Sequence, residues 1–551
     1  MRHPPKVLSC LVKRIALILT FICIAIVGGF LLKGQTEREQ NIIRTAFSSD
    51  VATFHFAASN KGSYNSSLYA MPWLFDGLMR KGEDDLPELA IAKKVDISRD
   101  QQKYTFYLRD AKWSDGANVT AYDFEYSWKK LLDPDSKSRT ILPELFYPIR
   151  NVRKFIKGLC SFEDVGITIV NDKTLILELE YPTPYILETL CIPVLYPVPK
   201  HIAEKDPEWC NKPNFVCNGP FFLKTYWMNS KFKLSKNPLY WDKKHVYLDG
   251  IHVVIIQDHQ TALNLFEKGE LDWLGSPFMT IPYDTSYKLL TEKKDDATVN
   301  SIIFNNDKYP FNNKKLRKAL SYSLNRKAII ENLFHDTAIP VMSMLPISLR
   351  LKNEPYFKDN DTETAKILFE EALQELDKTI DNFPEIELLY NANVEWRKNA
   401  CLVVQDEWRK KLGLKVSLRG MSDANLFIDS IQKGDYQLAI TEINAPIFEP
   451  SFIMQLYENK SDTVNRCNWE NDRYKEILKT ANSSLGDIEK TKLLLEAEEI
   501  LMEEMPIIPL CSRKKIYGKN PTLKGERLSY LQFVDFKSAY FESLRKKPSE
   551  H

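Results

Sequence analysis

The first pattern along the chain is an apolar run, Ile15–Leu32, broken only by Thr20 and closed by Lys33. As a helix it spans about 27 Å. That reaches the lower limit for a membrane span and exceeds the apolar stretch of an ordinary signal peptide. Arg2, Lys6, Lys13 and Arg14 precede it, with no acid among residues 1–14. The basic flank therefore stays cytoplasmic and the rest of the chain is exported. Residues 1–14 read as a basic leader and 15–32 as a signal peptide or signal anchor. Three fates stay open: an uncleaved anchor, cleavage near Val27-Gly28-Gly29, or lipoprotein processing. Cys23, behind the bulky Ile22, suits the last poorly, and Cys10 lies before the apolar run.

Beyond residue 40 the pattern alternates between two periods. Ile42–Phe47, Tyr104–Leu108, Thr174–Leu179, Gly250–Gln257, Ile386–Tyr390, Lys415–Arg419 and Tyr436–Ile443 carry the β-branched and aromatic character of strands. Phe221–Lys224 and Phe232–Leu234 read as shorter ones. Helical spacing appears at 68–78, at 120–132 behind a Thr120/Asp123 capping box, and at 261–268 ended by Gly269. Asn312-Asn313 and Thr362 are candidate caps for two further helices, and Glu395–Leu412 is a long helix stopped by Gly413. The order strand, helix, strand across 386–419, repeated to Ile443, is a βαβ unit and predicts parallel pairing. The texture changes near residue 200 to Pro- and aromatic-rich connections.

Composition narrows the function. Lys+Arg is 75 against Asp+Glu 74, a net charge of +1, which argues against a broad basic surface for nucleic acid. Apolar residues at 44% and charged residues at 27% are ordinary for a folded globular chain. Seven cysteines follow the apolar run, at 160, 191, 210, 217, 401, 467 and 511, so an odd one is left over. Cys210 and Cys217 are spaced to bridge a short loop, and the others read as small buried hydrophobes. No CxxC spacing suggests zinc.

GxSxG, HExxH, GxxxxGK[ST] and GxGxxG motifs are all missing. His245, His252 and His259 recur every seventh residue but straddle a loop, a strand and a helix start, so they predict no shared metal. Asp84-Asp85 and Glu498-Glu499 read as solvated acid pairs. We therefore expect neither an enzyme nor a cofactor.

Six segments in order resemble the oligopeptide- and dipeptide-binding subunits of ABC importers, solute-binding protein family 5. They are Tyr104–Gly116 with Val119–Phe124 and Ser127-Trp128; Cys217-Asn-Gly-Pro-Phe221; Asn237–Trp241; Phe304-Asn-Asn306 through Asn325–Ile329; Leu388–Asn391; and Glu449-Pro450. The resemblance covers residues 40–540. It implies an α/β, two-lobe periplasmic-binding-protein-like fold (type II, cluster C) with a hinge and an extra α/β domain. Lobe I would use 40–75, 200–300 and 520–551, the extra domain 76–199, and lobe II 301–519. It also implies an extracytoplasmic monomer that closes over oligopeptides and delivers them to an ABC permease in the inner membrane.

The chain departs from the family's pattern where charge is gripped. The Asp that holds a peptide's ammonium, three residues before Glu-Pro, is Pro446 here, and an Arg six residues earlier is Ile440. A His that meets a carboxylate aligns near Trp396. An unpaired buried ammonium costs several kcal/mol in order of magnitude. Replacements are Glu442 for an ammonium and Arg397 for a carboxylate, with Trp396, Ile443, Asn444, Tyr64 and Asn65 as further cleft-lining candidates. A cell-wall-derived or modified peptide would fit such a site. A receptor for another solute, or a membrane-anchored sensor or adhesion protein, are the alternatives.

Overall fold

The computed structural model describes residues 41–542, apart from 52, 56–64, 83, 135–142, 184, 213–214, 280, 282–291, 335–336, 446, 463, 485 and 531–532. The apolar run at 15–32, Tyr64 and Pro446 thus lie outside the described residues. Among those described, no helix is long and apolar enough to cross a membrane.

Strands follow in chain order: β1 (Ile42–Phe47), β2 (Met79–Lys81), β3 (Pro87–Leu89), β4 (Ala92–Ile97), β5 (Lys103–Leu108), β6 (Ile167–Asn171), β7 (Thr174–Glu178), β8 (Phe221–Trp227) and β9 (Lys231–Lys236). Then come β10 (Gly250–Ile255), β11 (Trp273–Gly275), β12 (Glu292–Phe304), β13 (Ala338–Pro340), β14 (Ile386–Asn391), β15 (Val416–Met421), β16 (Leu438–Asn444) and β17 (Ile507–Lys519). Among the described residues one large sheet runs β15-β14-β16-β12-β17-β11-β1-β10-β9-β8, with β13 also on β17. A separate antiparallel sheet runs β4-β5-β7-β6.

Two strands of 13 residues each, β12 and β17, carry the architecture. The second part of β12, Thr298–Phe304, pairs with β16 on one side and with Ile507–Ser512 on the other. Its first part, Glu292–Asp295, pairs with Lys514–Tyr517, and the register shifts between Asp295 and Val299. Such a shift interrupts the ladder and bends the strand. On one side of that bend lie parallel β14, β15 and β16, and on the other parallel β1 and β10. The result is a two-lobe α/β fold whose halves share a pair of crossing strands. One apolar core packs β1, β8–β10 and the four-stranded sheet together, while separate clusters fill the half built on β14–β16.

Local chemistry explains the elements. The 121–132 helix opens on the capping box: Thr120 N–H donates to Asp123 Oδ2 at 2.8 Å, while Phe124 and Trp128 turn inward. The helix at 395–412 ends with Gly413 at φ 70°, a left-handed position that favours glycine. Gly219 is needed for close approach: a Cβ there would lie 2.4 Å from the Leu74 carbonyl carbon.

Several expectations change. The helix predicted over 68–78 runs Asn65–Leu74, with Pro72 inside it. Asp361, not Thr362, caps the next-to-last predicted helix by accepting from Thr364 N–H at 3.3 Å. Cys210 and Cys217 are not bridged; their thiols meet Thr53 Oγ1 at 3.0 Å and the Phe221 carbonyl at 3.5 Å. Glu498 is not solvated. It is 1% exposed and accepts from Tyr356 Oη at 2.8 Å and from Ser343 Oγ, because its helix turns this face toward the core.

Candidate functional site

Open α/β sheets place ligands beyond the carboxyl ends of their parallel strands. In the second half those ends are Asn391 of β14 and Asn444 of β16, and the 395–412 helix starts beside them. The site is built from there.

Alternation along β16 puts Glu442 and Asn444 on one face and Ile443 on the other. Ile443 packs against the cluster containing Ile303, Leu389 and Ile507. Asn444 is exposed, and its Oδ1 accepts from Thr298 Oγ1 at 2.8 Å. Glu442 meets Arg397 from the first turn of the helix, Nη2 to Oε2 at 3.3 Å. The two residues assigned separately to an ammonium and a carboxylate are thus each other's partner. Arg397 is buried while 41% of the Glu442 side chain is exposed. Desolvation raises the affinity of Glu442 for a proton, yet the fields of Arg397, Lys515, Arg513 and Arg466 outweigh it and hold the carboxyl below its ordinary range.

An aromatic shelf lies beside this pair. The rings of Trp396 and Phe334 sit 5.3 Å apart. The Arg513 guanidinium lies over both, at 5.5 and 5.3 Å, and that of Arg397 is 5.5 Å from the Trp396 ring. Asn300, on β12, faces Glu442 across the ladder. Its Oδ1 and Arg397 Nε are both fully buried with no hydrogen-bond partner among the described residues. Buried polar atoms in that state cost free energy, which this part of the floor carries.

Trp396, Arg397, Glu442 and Asn444 therefore come together on one floor. Tyr64 lies outside the described residues. Asn65 opens the 65–74 helix in the other half. Sequence reasoning missed Asn300, Phe334 and Arg513. Asn300 and Arg513 enter through the pairing register of β12 and β17, which no local pattern announces. No group of acids, histidines and cysteines among the described residues could hold a metal.

Comparison with known proteins follows the same line. The profile of the bacterial extracellular solute-binding proteins, family 5, matches residues 87–465. The oligopeptide-binding protein OppA of Bacillus subtilis (strain 168) is 36% identical over 483 residues, covering 85% of this chain and 87% of that protein. The periplasmic murein peptide-binding protein MppA of Escherichia coli (strain K12) is 29% identical over 468 residues, covering 82% and 84%. Among solved structures, Listeria monocytogenes OppA bound to peptide superposes with a TM-score of 0.74 at 26% identity, over 91% of this chain and 99% of that one.

Proposed function

The chain belongs to the bacterial extracellular solute-binding proteins, family 5, and from that premise we propose that it captures oligopeptides outside the cytoplasm and delivers them to an ABC permease. The observation that carries this reading is the floor itself. A half-exposed carboxylate, a buried guanidinium and an aromatic shelf stand at the carboxyl ends of parallel strands, beside a bend in the only two long strands the halves share among the described residues.

A peptide supplies what that floor lacks. Charged groups of a peptide exchange with the Arg397–Glu442 pair, whose carboxylate is the exposed member, and its main chain bonds along the same edge. Glu442 takes an ammonium and Arg397 a carboxylate, each at the expense of the pair they make together. Trp396 and Asn444 line the same floor. With Pro446 where relatives in this family have an acid, a cell-wall-derived or modified peptide is the ligand we favour, and the murein peptide-binding relative supports it.

Native mass spectrometry of the purified chain, followed by identification of what travels with it, tests the proposal. Short peptides carrying both a free ammonium and a free carboxylate, cell-wall-derived ones among them, are the expected result. An empty protein that also ignores peptide libraries in calorimetry would overturn it.

A further inference from the structure

The two halves also meet away from the floor, along the segment that follows β16. Ile447 and Phe452 are buried in the apolar core of the first half. The Phe448 ring stacks on Tyr530 with centroids 4.4 Å apart, and its N–H donates to Glu188 Oε1 at 3.0 Å. Gln455 Nε2 donates to Tyr185 Oη at 3.1 Å. At the outer end, Arg153 Nη2 reaches Glu458 Oε2 at 3.0 Å and Asp462 Oδ2 at 3.9 Å, and Lys157 Nζ lies 3.6 Å from Asp462 Oδ1.

The apolar part of this seam supplies area, which is non-directional. The charged part supplies register. The Asp462 side chain is 3% exposed, those of Glu458 and Arg153 19% and 29%. Asp462 is held from its own side by Asn459 Nδ2 at 3.2 Å. Two acids fixed on one half thus face two bases on the short 152–156 helix and its C-cap on the other. Separating the halves would expose all four to water and leave each without its partner across the seam.

We propose that Arg153 and Lys157, with Glu458 and Asp462, set ligand affinity from a distance by stabilising the joined form of the two halves. The inference rests on the cleft being the ligand site. Apparent affinity is the intrinsic affinity scaled by the fraction of molecules in the binding-competent form. Weakening the seam lowers that fraction for every ligand alike. A residue that touches ligand changes different ligands by different factors, and this is the distinguishing signature.

The test uses the full chain with Arg153→Glu, which places a third negative charge beside Glu458 and Asp462, and the exchanged double variant Arg153→Glu/Glu458→Arg. Calorimetry with an acidic and a basic tripeptide reads affinity, and hydrogen exchange without ligand reads the seam. We expect Arg153→Glu to weaken both peptides by one common factor, about tenfold. Exchange across 447–462 should be faster, and the double variant should recover both. Unequal factors for the two peptides, or unaltered exchange, would overturn the inference. If neither peptide binds the unaltered chain, the peptide reading falls, and the ligand-free exchange result still decides the seam.

Discussion

Arg80 offers the sharpest test of how the first half is held together. Its guanidinium is 5% exposed and pairs with Asp76 Oδ1 at 2.9 Å and with both oxygens of Asp535 at 2.9 Å each. It also donates to the Pro72 carbonyl at 3.0 Å. Asp76 in turn accepts from Tyr240 Oη at 2.8 Å and Trp241 Nε1 at 2.9 Å. Segments remote in sequence, near 76, 240 and 535, thus share one buried charge. Arg80→Met keeps most of the volume and removes the positive charge. Asp76, fully buried, and Asp535, 14% exposed, then face each other uncompensated. Breaking a buried pair this way costs about 3–5 kcal/mol. Urea unfolding should report that loss. Arg80→Met/Asp76→Asn/Asp535→Asn should recover a large part of it, because the triple variant leaves no orphaned charge. A loss under about 1 kcal/mol in the single variant, the range of exposed pairs, would refute the reasoning. So would a triple variant less stable than the single one.

Three further outcomes follow from other sites. Arg397→Met should leave stability within about 1 kcal/mol, because Glu442 is part-exposed, yet reduce peptide affinity at least tenfold by calorimetry; equal binding would remove Arg397 from the floor. His55 is fully buried, edge-on to Phe75 at 4.7 Å, and burial holds its imidazole down to about 3. Its folded value lies below the unfolded one, so stability is intact above pH 6.5 and falls as pH drops toward 3, by about 1.4 kcal/mol per unit. His55→Phe should flatten that acid limb in urea titrations. Burial raises the Glu498 carboxyl, against the hydrogen bonds from Ser343 and Tyr356. Stability from a raised carboxyl is present at low pH and lost as pH climbs through the folded value, so Glu498→Gln should show a smaller fall in urea midpoint from pH 5 to pH 8.

What could be read from the chain depended on whether an element's neighbours were local. The capping box at Thr120–Asp123 satisfies its own backbone, and the strand–helix–strand order across 386–443 builds its own layer, so each carried a full signal. β12 did not. Its first half, Glu292-Lys-Lys-Asp-Asp, is charged, while its last residues, Ile302-Ile303-Phe304, are core. A strand that leaves one half and enters another meets two environments, and neither period survives across it. β17 has the same problem, compounded by partners in β11, β12 and β13. Since Asn300 and Arg513 lie on these strands, the site's unread residues and the fold's unread strands are one omission. Glu498 is different, because the signal was present. Lys490, Leu494, Glu498 and Leu501 recur at helical spacing and are all buried, so an acid in that stripe had to find donors. The Arg397–Glu442 pair lies between these cases. The sequence supplied each residue with an opposite ligand charge, and only the adjacency of β16 to the helix that follows β14 gives them to each other first. Under the proposed function, ligand charge competes with an existing partner, and that proposal favours a zwitterionic ligand able to compensate both members at once over one that carries a single charge.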